Sequence, residues 1–138
     1  MTAKPSNPKD ALAISRAPLQ LVPGTAVAYA ALAYAEGALK YGPYNWRTAG
    51  VSAGTYKAAA QRHLEKWWNG EWADAKTGVP HLASVLASIG IVLDAHACGM
   101  LTDDRPPPAP VSDLMDEIER GVAELRGIFG AGSPGGAT

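Results

Sequence analysis

The sequence predicts an all-α protein, a helical bundle. Three observations carry that prediction. Alanine is abundant while phenylalanine occurs once, and small side chains let helices approach closely. Apolar residues recur at helical spacing in three long stretches. Proline or glycine punctuates the ends of those stretches, as it does at helix boundaries.

Residues Met1 to Pro18 read as an extended, proline-punctuated arm with one helical turn at Asp10–Ser15. Leu19, Leu21 and Val22 would dock it on the body. The first strong helix runs from Pro23–Thr25 to Tyr41. Being apolar nearly all round, it should be central. The loop Gly42–Ser52 follows. Thr55 is the expected N-cap of a second helix reaching Trp68. On it Tyr56, Ala60, His63, Leu64 and Trp67 share a face, and Asn69-Gly70 ends it. A third helix runs from Pro80 to Met100, with Leu82, Val85, Leu86, Ile89, Val92 and Leu93 as its core stripe. Leu101–Val111 contains DDRPPPAP, a stiff linker. Ser112 then caps a last amphipathic helix carrying Leu114, Ile118, Val122, Leu125 and Phe129. Gly130–Thr138 should be disordered. The expected organisation is a core over residues 1–100, with its arm, and a linker, helix and tail over 101–138.

A chain of 138 residues supports one modest core. Its net charge of −1 gives no electrostatic case for binding nucleic acid through the backbone. A single cysteine, Cys98, excludes an internal disulfide and a cysteine-built zinc site. Its apolar helical context suggests an inert core thiol. No apolar run reaches membrane-spanning length, and the N-terminus lacks a signal-peptide core. The expectation is a cytoplasmic protein without a membrane partner.

The chemistry concentrates in EGALKYGPYNWR, Glu36 to Arg47. Glu36 is the first charge on an apolar helix, and Lys40 follows one turn later. A carboxylate there is costly to bury unless a cation or donor meets it. Two readings fit: a Glu36–Lys40 surface pair beside a packed Trp46, or a site for a metal and a charged aromatic ligand. Further on, Glu71-Trp72-Ala73-Asp74 is an ExxD spacing. On a helical turn both carboxylates would lie on one side and suit magnesium or manganese. The spacing alone is a weak signal, and an exposed acidic turn is the commoner meaning of it. His63 sits at the edge of a buried face, where a hydrogen-bonded core histidine is the commoner role. His81 starts the third helix, where a neutral imidazole would meet the preceding acidic turn. Asp94 and His96 are expected to face solvent. No phosphate-binding glycine loop, nucleophile pair or zinc motif is present. For an enzyme, the carboxylates permit metal-assisted hydrolysis.

Three segments carry a resemblance: NPKDALAISRAPLQLVPG, EGALKYGPYNWR and YKAAAQRHLEKWWNGEWADAKTGVPHLASVLASI. Together they resemble the phage dATP/dGTP diphosphohydrolase-like family, related to the MazG-like all-α nucleoside-triphosphate pyrophosphohydrolases. The resemblance implies hydrolysis of a purine deoxynucleoside triphosphate, dGTP or dATP, to monophosphate and pyrophosphate. It also implies Mg2+ or Mn2+ and a homo-oligomer, a homodimer or homotetramer, in a host cytoplasm if the source is a phage. Glu36, Glu71 and Asp74 would then be metal ligands and catalytic acids, or one of them would instead orient the attacking water. Lys40, Arg47 and Arg62 would meet phosphate oxygens. Asn45 would bond a sugar or base edge, and Trp46 or Tyr41 would stack on the purine. His63 and His81 would orient the acids or donate to phosphates. Lys9 and Asp10 match the pattern too and would close the arm over the site. The broader pattern has an ExxE on the first helix, but Leu39 stands three residues after Glu36, so that pair is incomplete. The alternative reading is a catalytically inactive nucleotide-binding or assembly protein.

Overall fold

A computed structural model describes residues 4–130. Most of the tail expected to be disordered, 131–138, lies outside the described residues, as do residues 1–3 of the arm. The chain divides into two compact units, Met1–Arg105 and Pro106–Thr138. The fold is all-α, as expected.

In the first unit, α1 (Pro8–Ala13) is capped by the Asn7 side chain, which accepts from the Lys9 amide. A single 3-10 turn, Leu19–Leu21, leads into α2 (Gly24–Tyr41). The expected loop contains a four-residue helix, α3 (Trp46–Ala49), and a short strand, β1 (Val51–Ser52). Then come α4 (Ala53–Trp68), α5 (His81–Ala97) and β2 (Leu101–Thr102). β1 and β2 pair in parallel, Val51 with Leu101 and Ser52 with Thr102.

That pairing explains two departures from expectation. α4 begins at Ala53 rather than at a Thr55 cap, because β1 delivers the chain directly into it. Its first-turn donors find a remote acceptor: the Gly54 amide donates to Asp104 Oδ1 at 2.7 Å. A carboxylate at a helix N-terminus also meets the positive end of the helix dipole. Leu101 to Arg105, expected as linker, therefore belong to the first unit.

The centre of this unit is α5, not α2. α5 packs against α2, α3, α4 and β2. Its buried residues are His81, Ala83, Ala87, Ser88 and Ala95. Leu86, Ile89 and Leu93, expected in the core, are exposed by 43%, 50% and 64%. The small residues form the closest contact face because they admit neighbouring helices closely, while Leu82, Val85 and Val92 are half-buried beside it. On α2 only Ala33 is buried. Leu64 of α4 and Cys98 are also exposed, so neither is a core residue. The core comprises two small clusters. Ala33, Val79, Ala83 and Ala87 form one; Trp46, Val51 and Ala95 form the other, and Tyr34 packs on both.

In the second unit, α6 spans Val111–Ile128. Pro110, not Ser112, occupies the N-cap position. Leu114, Ile118, Val122, Leu125 and Phe129 are exposed. Among the described residues, no helix is long and apolar enough to cross a membrane.

Candidate functional site

The C-terminal end of α2 and the turn after it build one wall of a cavity of about 270 Å³. Glu36, Lys40 and Tyr41 come from α2, Asn45 from the turn and Trp46 from the start of α3. α4 supplies Tyr56 and His63, and α5 supplies Ser84 and Ser88. Six of the residues singled out from sequence thus line one space: Glu36, Lys40, Tyr41, Asn45, Trp46 and His63. A smaller recess lined by Tyr41, Asn45, Thr55, Tyr56 and Ala59 adjoins it through shared residues.

Glu36 and Lys40 form the one-turn pair that their spacing allowed, Oε1 to Nζ at 2.9 Å. The hydrogen bond to Glu36 raises the Lys40 pKa, so its ammonium persists. The surface-pair reading of Glu36 therefore holds, and the pair lines the cavity as well. Burial raises the Tyr56 phenol above its usual range, which keeps it a neutral donor.

Behind the cavity runs a chain of three side chains. His63 Nδ1 and His81 Nδ1 face each other at 2.9 Å, and His81 Nε2 meets Glu71 Oε1 at 2.9 Å. His81 is fully buried. The loop before α5 brings these residues together although ten positions separate Glu71 from His81. Ala73 bridges Pro80 in antiparallel fashion, and the His81 amide donates to the Trp72 carbonyl. The Trp72 ring meets Tyr29 of α2 edge-on at 6.2 Å.

That loop corrects the reading of Glu71 to Asp74 as a helical turn. The segment is non-helical, so the ExxD spacing does not put both carboxylates on one side. Asp74 Oδ1 instead accepts the Lys76 and Thr77 amides, each at 2.9 Å. The Thr77 and then the Lys76 amide hold its pKa below the usual carboxylate range. Glu36, Glu71 and Asp74 therefore have three separate local partners. Among the described residues, no group of three or more His, Cys, Asp or Glu is placed to hold a metal ion.

Arg47 is directed elsewhere. Its Nε and Nη2 donate to Asp94 Oδ2 and Oδ1 at 2.9 and 2.8 Å, while the Trp46 indole N–H donates to Asp94 Oδ2 at 2.6 Å. Bonds from Arg47 and then Trp46 hold Asp94 well below the usual carboxylate range. Asp94, expected to face solvent, is thus the anchor of the KYGPYNWR turn. Tyr44 lies under the Arg47 guanidinium at 4.5 Å and takes a left-handed φ of 55°, an uncommon conformation for a bulky residue. These groups, with Tyr34 and Gly90, line a second cavity of about 510 Å³ that shares Tyr34 and Trp46 with the first. Asp94 was missed because its partners lie 47 and 48 residues away.

Arg62 is exposed and lines neither cavity. Lys9 and Asp10 are exposed on α1 and line neither cavity.

Residues 6–105 match the family model described as dATP/dGTP diphosphohydrolase, N-terminal. The chain belongs to this dATP/dGTP diphosphohydrolase N-terminal family. The match covers both cavities, the His63–His81–Glu71 chain and the Asp104 cap, and it ends where the first compact unit ends. No curated protein and no solved structure matches the chain.

Proposed function

We propose that this member of the diphosphohydrolase family hydrolyses purine deoxynucleoside triphosphates, dGTP or dATP, to the monophosphate and pyrophosphate. The observation that carries the reading is one cavity lined by Glu36, Lys40, Tyr41, Asn45, Trp46 and His63, inside the matched segment. Lys40 offers a persistent cation to phosphate oxygens. The exposed Tyr41 ring offers a stacking face, and the Asn45 amide both a donor and an acceptor for a base edge.

Among the described residues the acids do not form an all-protein metal cage. Magnesium commonly binds through one or two carboxylates plus substrate phosphates. On that pattern Mg2+ or Mn2+ enters as part of the triphosphate substrate, and Glu36 is the carboxylate that meets it. An ion held there would supply charge to offset that of the phosphate oxygens. Glu71 and Asp74 are assigned to His81 and to the loop instead.

The separation of the three acids also favours a second reading, a nucleotide-binding protein without turnover. One experiment distinguishes them. The full chain is incubated with each canonical deoxynucleoside and ribonucleoside triphosphate, with magnesium or manganese, and the products are resolved. Deoxypurine monophosphate plus pyrophosphate is expected. Orthophosphate plus a diphosphate would move attack to the γ-phosphorus. Absence of turnover, with nucleotide still raising the Tm, would replace the hydrolase reading by the binding one.

A further inference from the structure

The Glu71–His81–His63 chain constrains protons more than its distances alone suggest. An ionised carboxylate only accepts, so His81 Nε2 carries a hydrogen toward Glu71 Oε1. The two facing Nδ1 nitrogens share one hydrogen, since two would collide and none would leave two lone pairs opposed. When both rings are neutral, His81 is already protonated at Nε2, so its Nδ1 is bare. The hydrogen between the rings then belongs to His63 Nδ1. It follows that His63 Nε2 is bare. Among the described residues none hydrogen-bonds that nitrogen, and with Nδ1 turned to His81 it is the nitrogen left for the cavity that His63 lines.

We propose that His63 is the proton acceptor for the water that attacks the substrate, and that His81 and Glu71 are positioning residues which fix its tautomer; this rests on the hydrolase reading above. In the step, the water oxygen forms a bond to the α-phosphorus. The bond from that phosphorus to the α–β bridging oxygen breaks with its electron pair, and pyrophosphate leaves. The proton lost by water goes to His63 Nε2 and later to solvent. Once His63 is charged, its Nδ1 proton can pass to His81, next to the Glu71 carboxylate. The same carboxylate that sets the tautomer therefore also stabilises the positive charge, the division of labour seen in nucleophile–base–acid triads.

The surroundings favour a neutral resting His63. Burial, then His81 and Lys66, push its pKa down, Glu36 on α2 opposes them, and Arg62 adds to the lowering. Lys40 lines the same cavity from α2. A base that is neutral at physiological pH is ready to accept.

The test reads tautomers without substrate and turnover with it. Long-range proton–nitrogen NMR of the imidazoles, in mildly alkaline buffer, should show His63 protonated at Nδ1, the less common tautomer, and His81 at Nε2. His63 protonated at Nε2 would overturn the proposal. With dGTP or dATP and manganese, His63→Gln should lower turnover by about 10²–10⁴-fold and remove the acidic limb of the rate profile. Glu71→Gln, at a half-exposed side chain that tolerates replacement, should move that limb to lower pH, because the imidazolium loses its anion. An unchanged limb in both variants would overturn the roles assigned to all three residues. No turnover by wild-type protein showing the stated tautomers would overturn the hydrolase reading, and the proton role with it. Wild-type turnover retained by His63→Gln would overturn the proton role of His63 and the positioning roles that depend on it, while leaving the hydrolase reading standing.

Discussion

Asp94 Oδ2 accepts the indole hydrogen of Trp46 at 2.6 Å, joining α5 to the turn that holds the candidate site. The same carboxylate takes two bonds from Arg47. Because its folded pKa is depressed, its ionisation stabilises the fold above the unfolded carboxylate pKa of about 3.9. That contribution is lost as pH falls through the lower, folded value. Asp94→Asn keeps an acceptor for Trp46 but removes the charge. It should lower the Tm at neutral pH, and the gap from wild type should narrow steadily below about pH 4. Thermal melts of both proteins across acidic pH check this, and a constant gap would show that the charge has no such role.

Gly90 of α5 lies against the Tyr34 hydroxyl, which a Cβ at that position would overlap. Tyr34 packs on both core clusters and lines both cavities. Gly90→Ala should therefore displace the Tyr34 ring and cost about 1–3 kcal/mol from overpacking, less about 1 kcal/mol regained from helix propensity. In a Tyr34→Phe background the nearest ring carbon sits 3.3 Å from the new Cβ, so the ring need give by only a few tenths of an ångström and the same alanine should cost less. A double-mutant cycle by urea denaturation measures the coupling. Additive effects would mean that the hydroxyl does not constrain position 90.

How far the chain could be read before its structure follows from the range of each interaction. α2, α4 and α5 were legible because periodicity and Pro/Gly punctuation act within a few residues. Glu36 with Lys40 was legible for the same reason, being one turn apart. His81 meeting the acidic segment was also foreseen, though through a helical turn rather than the bridge between Ala73 and Pro80. The α5 core stripe is only half right, with Leu86, Ile89 and Leu93 exposed, because hydrophobic size does not mark the buried side. Close packing selected alanine and serine there instead. Asp94 and Asp104 were beyond reach, since each meets partners about half the first unit away along the chain.

Glu36→Gln distinguishes chemistry from stability at the cavity. The Glu36–Lys40 bond joins side chains 26% and 54% exposed. Such a pair on a helix contributes about 0.3–0.5 kcal/mol, so the folded protein should scarcely change in Tm. If Glu36 meets the cation carried by the triphosphate, turnover should fall by about a hundredfold or more, the scale of losing one electrostatic contact to a transition state. Higher magnesium or manganese should restore part of the loss. Triphosphate turnover equal to wild type would remove Glu36 from the reaction and leave it as a surface partner of Lys40.

Leu86, Ile89 and Leu93 form an exposed stripe at helical spacing on the helix that organises the first unit. Contiguous apolar surface of this kind marks association more often than free solvent contact. In a homodimer or homotetramer the stripe would be covered by another copy, and burying each such side chain favours assembly. Ile89→Glu places a charge in the middle of it. Desolvating that charge in a new interface is costly, so the variant should shift toward monomer. Helicity should persist, because position 89 faces away from the small-residue contacts with α2 and α4. Sedimentation velocity over a range of protein concentrations, with circular dichroism alongside, makes the measurement. A monomeric wild type would remove the assembly, whereas an oligomer unchanged by Ile89→Glu would place its interface elsewhere.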